Sequence, residues 1–262
     1  MNFTVVRHAS LPSTMDTCRE LATNHAAEGT VVWADVQTAG RGRPGHYWHS
    51  PAATALHLSI LLRPPRFSIA PTLAWLTMLG ALAVCDTVNV VAEQYLQLHR
   101  ASIKWPNDVM LNGRKVAGLL VESAWQNDQI EFAIVGIGLN VNTQFVDLPP
   151  SLSGIATSLS STFGATLNRE EILILLLSAV ERRYLSVCDC QINTLFTDYT
   201  ANLATIGQHI VVSHFGTTVE GIAKGIAADG SLLLKSGNME HKISFGEITV
   251  RESQAGAWHP KL

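Results

Sequence analysis

KWPNDVMLNGRKVAGLLVESAWQNDQIEFAIVGIGLNVN, Lys104 to Asn142, decides the fold. With ASIKW ahead of it, the stretch reads as a run of strands, DVML, GRKVAGLLVESA and QIEFAIVGIGLNVN, with no helix between them. Asn112-Gly113 is a strong two-residue hairpin signal, and Gln126 to Asp128 makes a second turn. Strands joined by tight turns are antiparallel, whereas parallel neighbours need a crossover of a dozen residues or more. The expected class is therefore α+β, a mixed, largely antiparallel sheet with helices packed on it, and not a doubly wound nucleotide fold. GIGLN, Gly136 to Asn140, lacks the third glycine and the following helix of a dinucleotide fingerprint. It reads instead as a strand whose glycines admit a ligand closely, with Asn140 able to hydrogen-bond it.

Outward from this stretch, a first strand lies near Val5, and Ser10 or Ser13 caps a helix to about Ala27, with Gly29 as its stop. VVWAD, Val31 to Asp35, and TALHLSILL, Thr54 to Leu62, read as strands, the second ended by Pro64-Pro65. A long helix follows from about Ile69 to Glu93. Asn168 caps another, Arg169 to about Leu185, and a shorter piece runs from Leu195 to Leu203. Beyond Gly207 the texture changes to short alternating β segments with a hairpin signal at Asp229-Gly230, the spacing of a small barrel. The expected division is a domain over 1–205 and a small β domain over 206–262.

The chain's 262 residues are 47% hydrophobic and only 15% charged, with a formal net charge of -3. That balance excludes disorder and leaves no basic stripe for nucleic acid, so any anion site has to be local. MNFTVVRHAS lacks the basic start and apolar core of a signal peptide, and ILILLLSAV, Ile172 to Val180, is too short to cross a bilayer. A cytoplasmic protein is expected. Of the four cysteines, Cys188 and Cys190 have no second pair at metal-ligand spacing.

Three polar stretches interrupt this apolar background. In GRGRPGHYW, Gly40 to Trp48, glycines let a loop close on a ligand while Arg41 and Arg43 offer rigid forks of donors to an anion. KWPNDV carries Lys104, Asn107 and Asp108, and GRKVAGLL carries Lys115 and Gly118. The two lysines flank a hairpin and can reach one end of the sheet. With the arginines they make a cationic pocket suited to phosphoryl or nucleotidyl transfer; Asn107 and Asp108 suit magnesium or a ribose hydroxyl. Singly, each has a plainer reading: Lys115 as a solvated turn residue, Pro106-Asn107-Asp108 as a turn. Three together, in this order, outweigh it. GxxxxGK[ST], GxSxG and HExxH are absent, and His46, His49 and His57 are too irregularly spaced for a metal site.

Ser13-Thr14, QTAGRGR from Gln37 to Arg43, KWPND, Arg114 to Gly118 and GIGLN together resemble biotin protein ligase across nearly the whole chain. The resemblance implies a class II synthetase-like core followed by an SH3-like β-barrel. It implies a two-step reaction with ATP and biotin as substrates and Mg: biotin's carboxylate attacks the α-phosphate to give biotinyl-5'-AMP, and a lysine of a biotin carboxyl carrier domain then takes the biotinyl group. Carried over by position, Ser13, Thr14, Met15, Gln37, Gly40, Arg41, Gly42, Arg43, Lys115 and Gly118 line biotin. Arg43, Trp48, Lys104, Asn107, Asp108 and Asn140 lie on the nucleotide side, with Asp108 as the magnesium ligand. Lys115, Arg41 and Arg43 carry the catalysis. Met15 stands where the family often has Asn, and Pro44 and His46 where arginines are common.

Ligase motifs that begin at Ser13 imply the monofunctional form, without a DNA-binding domain, and leave room for a homodimer. The rivals are a lipoate or octanoate ligase or transferase of the same superfamily and a non-catalytic biotin or biotinyl-AMP sensor. An RNA-binding reading of the terminal barrel is weaker, since Phe215 and Phe245 more simply fill a small core than stack bases.

Overall fold

The computed structural model describes the chain apart from residues 44–45, 49–50, 65–71, 97–98, 128, 146–153, 190, 215–216, 245 and 251–262. Pro44, His49, Pro65, Asp128, Cys190, Phe215 and Phe245 thus lie outside the described residues. The chain forms two compact units, Met1–Asn202 and Leu203–Leu262.

The first unit opens with β1 (Thr4–Leu11), α1 (Thr14–Thr23) and β2 (Thr30–Gln37), and the helix supplies the crossover that parallel pairing of β1 with β2 requires. Thr14, Met15, Cys18 and Ala22 form the buried stripe of α1. The helix ends earlier than Gly29 suggests: at Asn24 the chain leaves helical geometry, and His25 takes φ 61° while Ala26 N–H donates to the Leu21 carbonyl. β3 (Ala55–Leu62) is antiparallel to β2 and buried along its whole length. After α2 (Thr72–Gln94), β4 (Ala101–Lys104), β5 (Asp108–Leu111), β6 (Arg114–Gln126) and β7 (Gln129–Asn140) follow as an antiparallel run. The seven strands stand in the order β1-β2-β3-β7-β6-β5-β4, a mixed sheet as expected.

Local chemistry sets the register of this run. Asn112 and Gly113 take φ 52° and 74°, the left-handed pair that a two-residue hairpin turn demands, and Asn127 repeats the device at φ 51° between β6 and β7. One irregularity interrupts the β5–β6 ladder. Asp108 and Val109 face Gly118 and Ala117, but Met110 faces Lys115, so Val116 is an extra residue bulged out of the pairing. Lys115 therefore joins Asp108 and Gly118 on one face of the sheet instead of pointing to the other.

The two faces are covered differently. On one, Met15, Cys18 and Ala22 of α1 pack with Val32, Ala34, Leu61 and Ile134. On the other, Gly80 of α2 sits so close to Leu119 and Val135 that a β-carbon there would lie 2.4 Å from Leu119 Cδ2. α3 (Leu159–Phe163), α4 (Arg169–Cys188) and α5 (Ile192–Asn202) complete the unit. Asn168 caps α4 as expected, its side chain accepting from Glu170 N–H. The most apolar helix is α2, not the segment at Ile172–Val180. Residues 73–94 have a mean hydropathy of 1.6 in their richest stretch, which is 72% buried, the character of a core helix.

The second unit is an antiparallel five-stranded sheet, β8 (His209–His214), β9 (Thr217–Ile226), β10 (Leu232–Ser236), β11 (Met239–Ile243) and β12 (Glu247–Val250), in the order β11-β10-β9-β8-β12. Gly230 makes the expected turn at φ 82°, and Ile210, Val212, Ala223, Leu232, Leu234 and Ile248 form the core.

Gly113 has open space around it, so Gly113→Ala tests conformation alone: a β-carbon at positive φ should cost roughly 1 kcal/mol, read as a lower urea midpoint with an unchanged slope.

Candidate active site

Gly118, Gly136 and Gly138 share the face that α1 only partly covers, with Gly118 opposite Gly138 and Gly136 opposite Leu120. Each missing side chain is filled by a neighbour. A β-carbon on Gly138 would lie 2.6 Å from Trp48 Cε2 and one on Gly118 2.9 Å from Cζ3 of the same ring, while one on Gly136 would meet Met15 Sδ at 2.6 Å. GIGLN is thus a strand with a glycine floor, and the indole of Trp48 rests on it. Lys115 Nζ lies 5.4 Å from the centroid of that indole and 2.6 Å from Asp108 Oδ1. Backbone bonds fix the lysine: its N–H donates to the Ile155 carbonyl and its own carbonyl accepts from Thr157 N–H, each at 2.8 Å.

Residues 40–42 and 46–48 pair with each other in antiparallel fashion. Gly42 N–H donates to the His46 carbonyl and Trp48 N–H to the Gly40 carbonyl, both at 3.0 Å, with Arg41 bridged to Tyr47. Gly40 is required by packing, since a β-carbon there would lie 2.8 Å from the Trp48 carbonyl. Arg41 is already engaged, bonding Asp16 Oδ1 of α1 at 2.8 Å and Glu122 Oε1 of β6 at 3.1 Å. Glu122 also accepts from Arg19 at 2.6 Å. Arg43 is half-buried, its carbonyl accepting from His46 N–H.

At the other end of the floor, Gln37 Oε1 accepts from Thr14 N–H at 2.8 Å and from Thr14 Oγ1 at 3.1 Å, and Ser59 Oγ donates to Thr14 Oγ1 at 2.8 Å. Ser13, the N-cap of α1, makes no capping bond, and its buried Oγ has no partner. Met15 is buried in the core beneath Gly136.

The KWPND turn lies beside Lys115. Lys104 faces Asp108 across the β4–β5 pair. Asn107 Nδ2 donates to the Leu119 carbonyl, leaving its buried Oδ1 unpartnered, and Tyr199 Oη of α5 donates to the Pro106 carbonyl at 2.8 Å. Asn140 donates to the Thr157 carbonyl at 3.1 Å and so also braces the segment that holds Lys115. Among the described residues no three His, Cys, Asp or Glu side chains come together to hold a metal. The donors present, one carboxylate and one amide oxygen, would suit a magnesium ion that keeps most of its waters.

The sequence-predicted residues converge on one face of one sheet. What sequence reasoning missed are their partners: Asp16 and Glu122, which hold Arg41, Ser59 behind Thr14, and Tyr199 behind the KWPND turn. These contacts span 25 to 93 positions and leave no local signature.

The Biotin/lipoate A/B protein ligase family matches residues 8–140, and the Biotin protein ligase C terminal domain matches residues 205–251. The chain belongs to the biotin/lipoate A/B protein ligase family. It is 36% identical over 246 residues to the Bifunctional ligase/repressor BirA of Bacillus subtilis, covering 94% of this chain and 74% of that one. It is 33% identical over 222 residues to the Biotin--[acetyl-CoA-carboxylase] ligase of Mycobacterium tuberculosis, covering 84% and 79%. In structure it is similar to the biotin protein ligase from Aquifex aeolicus in complex with biotin and ATP, with a TM-score of 0.78, 26% identity and coverage of 95% and 99%.

Within this family member the floor tolerates no side chain. Gly138→Ala should displace Trp48, because three ring atoms lie within 3.0 Å of the new β-carbon and an indole cannot bend away. Quenched or shifted Trp emission with little change in thermal midpoint is the expected readout. His57 supplies a pH test. Burial lowers its pKa to about 4, with Arg169 reinforcing and the Ala34 carbonyl and Asp35 opposing. Below an unfolded pKa near 6.5 the unfolded chain takes a proton that the folded one refuses. Stability from this group is complete above pH 6.5 and declines as pH falls toward 4; His57→Phe should flatten that slope in urea titrations.

Proposed function

We propose that this chain is an ATP-dependent biotin ligase that makes biotinyl-5'-AMP and transfers biotin to a lysine of a biotin carboxyl carrier domain. The observation that carries the reading is Lys115: a bulge turns it onto the glycine floor, 5.4 Å from the Trp48 ring centroid and 2.6 Å from Asp108. The C-terminal match to biotin protein ligases supports biotin over lipoate.

A biotin carboxylate oxygen attacks the α-phosphorus of ATP, the bond to the β-phosphate oxygen breaks, and pyrophosphate leaves. The two reactants are both anions, so the site has to supply fixed positive charge where they meet. Lys115 provides it by exchanging its bond with Asp108 for one to the substrate oxygens. Asp108 would then be the carboxylate to hold a magnesium ion, which would neutralise phosphate charge. Arg41 and Arg43 line the same end, and the paired segments 40–42 and 46–48 cover the mixed anhydride against water. Ser13, Thr14 and Gln37 take the ureido head; Met15, Gly40, Gly42 and Gly118 complete the biotin side, and Trp48, Lys104, Asn107 and Asn140 the nucleotide side. In the second step the acceptor lysine's amine attacks the acyl carbon, AMP departs and the amine loses a proton. We assign the reaction to residues 1–205, a class II synthetase-like core, and an SH3-like module to residues 206–262. The site of action is the cytoplasm, where ATP and the acceptor meet.

Biotin-dependent exchange of labelled pyrophosphate into ATP tests this directly. Wild type should exchange with biotin and not with lipoate, and Lys115→Ala should lose roughly a hundredfold or more. Exchange with lipoate alone moves the chain to the lipoate branch of the family. Binding of biotin without any exchange makes it a sensor.

A further inference from the structure

Among the described polar groups on the site face, His57 is one to which the ligase reaction gives no part and which the chain itself leaves without a hydrogen bond. It is 1% exposed in the middle of β3, and neither Nδ1 nor Nε2 has a hydrogen-bond partner. Its strand neighbour Ser59, equally buried, shows the ordinary solution: it donates to Thr14 Oγ1. The Ala34 carbonyl is near enough to favour a proton on the ring but not at hydrogen-bonding geometry.

Register fixes where the ring stands. His57 lies directly opposite Gly138 on one side and Ala34 on the other, so its side chain projects on the face that carries the glycine floor, within reach of the groups flanking that pair. Two more buried polar atoms around the same floor also lack partners, Ser13 Oγ and Trp48 Nε1. Buried polar groups in native proteins are nearly always paired; His8 Nε2 and Trp33 Nε1 also lack partners elsewhere on the sheet, but three such residues around one floor call for a partner that the chain itself does not supply. Burial keeps the imidazole neutral near pH 7, so it offers one N–H donor and one lone pair.

We propose that His57 is a specificity-determining residue of the acyl pocket, its ring hydrogen-bonding the polar bicyclic head of the acyl substrate and thereby selecting a ureido-bearing acid over an apolar dithiolane or alkyl acid. The assignment rests on the ligase reading. A hydrophobic pocket discriminates weakly between similar acyl chains, whereas a site with buried polar groups rejects an analogue that leaves them unpaired far more strongly. Lipoate or octanoate seated on this floor would leave His57 and Ser13 in that state.

The test uses the full chain. Ring 15N resonances of His57, assigned by their loss in His57→Gln, are followed during biotin titration, and calorimetry compares biotin with octanoate for wild type, His57→Phe and His57→Gln. Expected are a shift of the His57 ring signals on biotin binding, a biotin Kd raised about tenfold in His57→Phe, octanoate affinity unchanged or tighter there, and partial recovery of biotin binding in His57→Gln. Unmoved ring signals in a wild type that binds biotin, or an unchanged biotin-to-octanoate ratio in His57→Phe, overturn the role of His57 and leave the ligase reading standing. Wild type that binds no biotin overturns the ligase reading and this inference with it. Should His57→Phe fail to fold, the wild-type titration decides alone.

Discussion

One extra residue in one strand decides which face of the sheet Lys115 occupies. Without Val116 bulged from the β5–β6 ladder, Lys115 would stand three regular positions from Gly118 and point toward the face that α2 covers, where an ammonium would be costly to bury. With it, Lys115 shares a face with Asp108, and the absence of a side chain at Gly118 leaves room for the ammonium and the Trp48 ring together. The bulge also leaves Lys115's backbone groups to the 155–157 segment, which Asn140 braces from the end of β7. The floor, the lysine and the turn that carries Asp108 are consequences of one register.

Arg41 and Lys115 are each paired with carboxylates. Arg41 sits between Asp16 and Glu122, and Lys115 on Asp108, all partly exposed. Ion pairs of this kind contribute little to stability, typically below about 1 kcal/mol, and are therefore easy to exchange. A chain with only 15% charged residues in this way brings Arg41 and Lys115 to one face of the sheet, each balanced by a carboxylate. The pairing also orders these segments: Arg41 ties residues 40–42 to α1 and β6, and Trp48 closes against the glycine floor.

What is legible in the sequence is what is decided locally. Asn112-Gly113 and Asp229-Gly230 specify their turns through their own φ preferences, Asn168 caps α4 with its own side chain, and GIGLN announces a strand with a bare face because glycine has no other use there. The end of α1 falls well before Gly29 because Asn24 and His25 can leave the helix without a glycine. ILILLLSAV is the longest apolar run, yet the most apolar helix is α2, whose apolar residues are diluted by Thr, Asn and Asp along its length. Nothing in the sequence shows which carboxylate meets Arg41, or that Val116 is bulged, since both depend on pairings between elements. The motifs identify which residues carry charge; the sheet determines which of them meet.

β3 divides its side chains between two differently covered faces. Its even positions, Leu56, Leu58, Ile60 and Leu62, are almost wholly buried, and Leu58 and Ile60 sit in register with Ile137 and Val135 on the face that α2 packs against. Its odd positions, Ala55, His57, Ser59 and Leu61, face the other way, with His57 opposite Gly138 and Ser59 bonded to Thr14. Because strand side chains alternate strictly, the two sets are chemically independent although adjacent in sequence. Losses at even positions should cost folding through cavities in the core. At position 59 the polar group is accounted for by its bond to Thr14 Oγ1, whereas the ring at position 57 finds no such bond within the described residues.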